Sequence, residues 1–148
     1  LGAPTGGRLP TGGSISPKVG PNWVVAGDAA GSINPFNGEG IAYAYETGRL
    51  AADAVDLALS TGDGLALLTY DEQLDEIYRL YFRVARAFVN IIGNPAVMRE
   101  CTRVAIHSRT LMDWLLRIMA NILHPDELGP AEAAYALVER IIAIAPEP

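Results

Sequence analysis

Gly27 and Asp28 close a short apolar run, and ten residues further on Gly38-Glu39-Gly40 leads into a long Ala-rich stretch. A carboxylate at the carboxyl end of a strand sits where open α/β sheets place their ligands. Ionised, it accepts hydrogen bonds from hydroxyls, so a polyol such as a ribose or ribityl chain is its natural partner. Gly27 permits a sharp turn or the close approach of a ligand to the backbone. The first turn of the helix that follows Gly40 offers unpaired N–H groups at the positive end of the helix dipole, which suit an anion or a developing negative charge. Such a site takes a polyol at one end and an electron-accepting group at the other. The same residues also suit a plain strand-to-helix turn in which Asp28 caps backbone N–H groups. Glu39 is favoured in a first helical turn without any catalytic part.

The elements that must position these residues are legible in the patterning. Residues 1–21 are rich in Gly and Pro and read as loops around one short strand. Asn22 to Gly27, with Val24 and Val25 adjacent, is expected as a short buried strand. A first helix is expected over about 39–60, ended by Thr61-Gly62-Asp63-Gly64. Ala42, Ala44, Gly48, Ala51 and Ala52 make it thin enough for neighbouring backbone to approach. A second helix, about 65–92, carries an aromatic and aliphatic stripe at three- and four-residue steps: Tyr70, Leu74, Ile77, Tyr78, Tyr81, Phe82, Ala85, Phe88, Val89 and Ile92. Its acidic start and its basic end (Arg79, Arg83, Arg86) follow the helix dipole. The stripe reads as core and the arginines as a solvated face. Gly93-Asn94-Pro95 breaks that helix. Further helices are expected over about 96–108 and 110–123, the latter stopped by His124-Pro125, and over about 131–145, ended by Pro146. The segment "TLMDWLLRIMANIL" confines its polar residues to one narrow stripe. Its wide apolar surface around Trp114 and Leu115 is either buried or laid on a membrane, another subunit or an apolar ligand.

The chain has 148 residues, of which 50% are apolar and 19% charged, enough for a real hydrophobic core. A net charge of −6 without any block of Lys and Arg argues against a nucleic-acid partner. The single cysteine, Cys101, fits a reducing compartment and reads as a small buried side chain. His107 and His124 have no Cys or carboxylate ligands at metal-binding spacing, so no metal site is expected. No apolar run reaches the roughly 18–20 residues that cross a bilayer.

The stretch "VVAGDAAGSINPFNGEGIAYAYETGRLAADAV" resembles the second flavin-binding motif of FAD-dependent oxidoreductases in the para-hydroxybenzoate hydroxylase superfamily. Within it the resemblance is to the geranylgeranyl reductase family. Gly31 stands where aromatic hydroxylases of the superfamily usually carry His. Asn34, Gly38-Glu39-Gly40 and the upstream Pro10-to-Gly13 segment also lean to the reductases, toward the branch that acts on the isoprenoid tail of a quinone. The resemblance covers roughly residues 8–55. It implies FAD as cofactor, with Asp28, after Gly27, on a ribityl hydroxyl and Pro35 near the isoalloxazine. It places the backbone of Gly38, Gly40, Ile41 and Ala42 by the flavin N1 and C2 carbonyl.

The first FAD motif, Gly-x-Gly-x-x-Gly, is absent from these residues, and Leu1 opens on what reads as the inside of a larger protein. The expected fold is therefore mainly α: one short strand region followed by about four to five helices, forming the C-terminal fragment of an α/β, Rossmann-like oxidoreductase. Residues 1–60 are expected to finish its FAD-binding domain and residues 61–148 to form a C-terminal helical region. The implied reaction is saturation of C=C bonds in an isoprenoid or prenyl-quinone substrate by hydride transfer from reduced FAD. The isolated chain is expected to be inactive, and no catalytic acid or base is assigned. The setting implied is cytoplasmic, with peripheral contact on the inner face of the membrane. Two other readings stand beside this one: an FAD-dependent aromatic monooxygenase or halogenase, and a non-enzymatic helical fragment that binds a partner or lipid.

Overall fold

Helix α1 begins at Ile41, directly after Gly40, and runs to Thr61, where Gly62 ends it in the left-handed conformation (φ 70°) that glycine adopts most readily. The computed structural model describes residues 2–3, 6–123 and 129–144. Among these, two two-residue strands, β1 (Val19–Gly20) and β2 (Trp23–Val24), pair antiparallel with Val19 opposite Val24. The other helices are α2 (Leu68–Ile92), α3 (Pro95–Ala105), α4 (Arg109–Met119) and α5 (Pro130–Ile144). The mainly α expectation holds, with helix boundaries within three residues of those read from the sequence except at the end of α4. That helix stops at Met119, four residues before the expected Leu123, and Asn121 just beyond it takes a left-handed φ of 53°. The expected stop at His124-Pro125 and the expected end at Pro146 lie outside the described residues.

The strand expectation needs correcting. Only Trp23 and Val24 of residues 22–27 are in a ladder, and Trp23 is exposed. Pro21-Asn22 joins the strands in a minimal hairpin, and Gly27–Ala30 winds into a turn of 3-10 helix instead of continuing the strand.

By packing, the chain falls into two compact units, Leu1–Asn34 with Gly38–Glu76, and Pro35–Asn37 with Ile77–Pro148. In the first, α1 buries Tyr43, Thr47, Leu50, Ala51 and Ala54 on one face, at the three- and four-residue spacing that lines one side of a helix. Leu67, Tyr70 and Leu74 are buried in the same unit, and the Tyr70 hydroxyl donates to the Val25 carbonyl at 2.9 Å. In the second unit Tyr78, Tyr81, Phe82, Val84 and Ala85 are buried. Phe36 meets Tyr81 and Phe88 edge-on, at centroid distances of 6.0 and 5.3 Å. The aromatic stripe of α2 is core, as its period implied. Ile77 is exposed, at 51%, and Phe88, Val89 and Ile92 toward the end of the helix are only half-buried.

Two side chains depart from their expected roles. Arg83 is partly buried and donates to the Ile142 carbonyl at 2.8 Å, tying α2 to α5, so it is no solvated residue. Cys101 is exposed, because it sits on α3, none of whose residues is buried.

Candidate functional site

The loop between the hairpin and α1 is built like a core segment. Ser32, Ile33 and Asn34 are buried to within 2% of complete. The Gly12 and Gly13 amides donate to the Ile33 and Gly31 carbonyls, each at 2.8 Å. Ser32 N–H reaches back to the Gly27 carbonyl at 3.0 Å, and Asn34 N–H donates to the Glu39 carbonyl at 2.8 Å. Backbone polar groups that leave water must be paired, and these bonds pair them. The outcome is a well-paired loop that holds Asp28 exposed at a fixed place.

Two glycines make that placement possible. Gly27 has φ +59°, which an L side chain resists, and a Cβ there would lie 3.2 Å from that of Ala44 on α1. Gly40 passes so close to the loop that a Cβ would stand 3.1 Å from Asp28 Oδ1 and 3.2 Å from Ile33 Cγ1. The start of α1 therefore lies against the Asp28 carboxylate. Asp28, Gly40, Ile41, Ala44 and Tyr45 line a shallow depression of about 330 Å³. Ile41 is 75% and Tyr45 80% exposed, so they wall an open face and not a core.

The remaining expected site residues are placed as follows. Among the described residues, the Gly40 and Ile41 N–H groups have no hydrogen-bond acceptor. The Ala42 amide donates to Glu39 Oε1 at 2.8 Å, so the Glu39 carboxylate, one residue before the N-cap Gly40, occupies one of the open amides of the first turn. Gly38 uses a left-handed φ of 74° in the turn, and its N–H donates to the Asn34 carbonyl at 2.9 Å. Pro35 belongs to the second unit, so the first unit gathers Gly27, Asp28, Gly38, Gly40, Ile41 and Ala42. His107 Nδ1 lies 2.7 Å from the Arg103 carbonyl within its own helix. Among the described residues no three His, Cys, Asp or Glu side chains are grouped to hold a metal. His124 lies outside the described residues.

Thr47 was not picked out by the sequence reading. Its Oγ1 accepts from Gly27 N–H at 2.9 Å and donates to the Tyr43 carbonyl at 2.7 Å, with no exposure at all. The available signal was a short hydroxyl side chain at the helical spacing of the apolar face formed by Tyr43, Leu50, Ala51 and Ala54. Replacing Thr47 with Val strands the buried Gly27 amide, and the expected cost is about 1–3 kcal/mol in folding free energy. A urea midpoint equal to that of the unchanged chain would show that Thr47 does not hold this turn.

Chemically, the depression combines an exposed acceptor for hydroxyls, two unpaired amides at a helix N-terminus and apolar walls. A polyol joined to a flat, electron-poor ring fits that donor and acceptor set.

The chain is similar to known reductases. It is 40% identical over 119 residues to the menaquinone reductase of Mycolicibacterium smegmatis, a match covering 80% of this chain and 28% of that protein. It is 43% identical over 129 residues to digeranylgeranylglycerophospholipid reductase 2 of Methanosphaera stadtmanae, covering 79% of this chain and 33% of that one. Protein FixC of Rhizobium meliloti is 28% identical over 138 residues, with 72% of this chain and 32% of the relative covered. The chain thus spans about a third or less of the length of these relatives. No family model and no solved structure matches it.

Proposed function

The chain belongs to the geranylgeranyl reductase family, in its menaquinone reductase branch, and from that premise we propose that it completes the flavin site of a longer, FAD-dependent reductase of isoprenoid chains. In this reading residues 1–60 finish the FAD-binding domain and residues 61–148 form its C-terminal helical region. The observation that carries the proposal is the exposed Asp28 carboxylate held against the start of α1, beside the unpaired amides of Gly40 and Ile41. Reduced FAD, when bound, supplies the hydride that saturates a C=C bond.

The chain's own residues bind and orient. Asp28 accepts a hydrogen bond from a ribityl hydroxyl. Gly27 and Gly38 give the backbone its turns, and Pro35 limits the freedom of the loop between them. The Gly40 and Ile41 amides, at the positive end of α1, favour the negative charge of a reduced ring edge. Ala42 contributes its amide only when Glu39 releases it. A substrate dissolved in lipid is reached by peripheral contact with the inner face of the membrane. No helix among the described residues is long and apolar enough to cross a membrane.

The test is anaerobic incubation of the purified longer protein with a prenyl quinone and a chemical reductant, followed by mass spectrometry. A visible flavin spectrum and a product heavier by one H2 per saturated bond are expected. An oxygen-dependent hydroxylated product would transfer the chain to the monooxygenase reading. A protein without flavin after reconstitution would remove the cofactor from the proposal.

A further inference from the structure

The net charge of the chain conceals a division. From Ile77 to Leu123 there are seven arginines against two carboxylates, Glu100 and Asp113, a net of +5 in a chain whose total is −6. Within this basic stretch neither α3 nor α4 buries a single residue. Helices that rest on a core bury a stripe, as α1 does.

Helix α3 is sharply two-sided all the same. At helical spacing Val97, Met98, Cys101, Val104 and Ala105 share one face, and Arg99 and Arg103 lie on the opposite one. Three members of the apolar face, Met98, Cys101 and Val104, are exposed, Val104 at 60%. Ile106, just beyond the helix, is 68% exposed. Among the described residues Arg103 pairs with Glu100, at 3.0 Å on the surface. Among the described residues Arg99 and Arg109 have no ion-pair partner.

An exposed apolar face on one side of α3, with arginines on the other and Arg109 just beyond it, matches a helix that lies in the interface of a lipid bilayer. The face enters the acyl boundary while guanidinium groups reach phosphate oxygens. A neutral surface would satisfy the apolar face but not the charge. We propose that α3, with Ile106 and Arg109, is an interfacial helix that docks on anionic lipid. The proposal rests on the reading of a lipid-dissolved substrate, and it names the element that brings the protein to that lipid.

Flotation of the longer protein with vesicles tests it, in phosphatidylcholine alone and in an equal mixture with phosphatidylglycerol. Binding to the anionic vesicles, weakened by added salt, and little binding to neutral ones are expected. Arg99→Gln with Arg109→Gln should weaken anionic binding about twenty-fold, since each arginine near the surface contributes comparably. Val104→Ser with Ile106→Ser should reduce it as well. All four positions are exposed and distant in sequence from the flavin loop, so the flavin spectrum and reduction of detergent-dispersed substrate should persist in both variants. With Cys101 kept and any cysteine outside these 148 residues replaced by Ser, a polarity-sensitive fluorophore attached at Cys101 should shift to the blue on anionic vesicles.

Flotation with an unshifted fluorophore, or flotation unaffected by both double variants, would assign the contact to another part of the protein and overturn the proposal. So would the absence of flotation, whether the surface then meets a second copy, seen as self-association in sedimentation, or another part of the longer chain. Loss of flavin in the unaltered protein would instead strike the reductase reading, whatever the vesicles show.

Discussion

Tyr70→Ala should destabilise the first packing unit by about 3–5 kcal/mol, the range for deleting a fully buried aromatic ring. Tyr70 has no exposure, and its hydroxyl holds the Val25 carbonyl two residues before Gly27. The loss is a large part of the roughly 5–15 kcal/mol that holds a typical domain together. Tyr70→Phe keeps the ring and strands only the carbonyl, so about 1 kcal/mol is expected. Urea denaturation followed by circular dichroism separates the two variants, and equal midpoints would mean that the ring is not part of the core. The hydroxyl also predicts a pH effect. Burial pushes the Tyr70 phenol above its ordinary value of 10.0, Thr47 beside it pulls the other way, and Asp71 adds to the rise. The folded chain therefore holds that proton more tightly than the unfolded one. Its contribution is complete below about pH 10 and is lost as pH climbs through the raised value. Tyr70→Phe should flatten that part of the alkaline decline.

Asp28→Ala is the variant with the largest expected effect on binding. A carboxylate that accepts from a ligand hydroxyl makes a charge-assisted hydrogen bond worth about 1.5–3 kcal/mol, so flavin affinity should fall roughly ten- to a hundred-fold. Asp28 is exposed, and among the described residues its carboxylate accepts no hydrogen bond that supports the loop, so stability should scarcely change. The measurement is flavin fluorescence after dialysis of the longer protein, with a urea melt as control. Full flavin retention would remove Asp28 from the site. Gly40→Val tests the same contact from the other side, because its branches would press on Asp28 and Ile33. It should lower flavin retention and also the urea midpoint, and the second effect distinguishes it from Asp28→Ala.

Much of this was legible in the sequence because local chemistry decided it. Asn94 and Ser108 cap α3 and α4 through their side chains, and Gly62 ends α1, so the breaks fell where the residue types put them. The Gly27-to-Ile41 spacing located the loop that carries the depression. What stayed hidden depends on partners distant in sequence. Thr47 is twenty residues from the Gly27 amide it accepts, and no periodicity connects them. The amide of Ala42 was expected to be open, but the carboxylate three residues before it reaches back and occupies it. Arg83 passed for a solvated residue because its acceptor lies 59 positions away, on α5. Cys101 was read as buried from the habits of its residue type, and the lack of any covering element over α3 reversed that.

The pairing of Gly12 and Gly13 with the Gly31-to-Ile33 backbone bears on how quickly a ligand is held. A loop that must order itself around its ligand spends binding energy on lost conformational entropy, and capture waits for the rearrangement. Here the amides of Gly12, Gly13, Ser32 and Asn34 are already engaged, so they should exchange with solvent deuterium as slowly as helical amides do. Capture at Asp28 then becomes a matter of encounter, with affinity adjusted through the rate of escape.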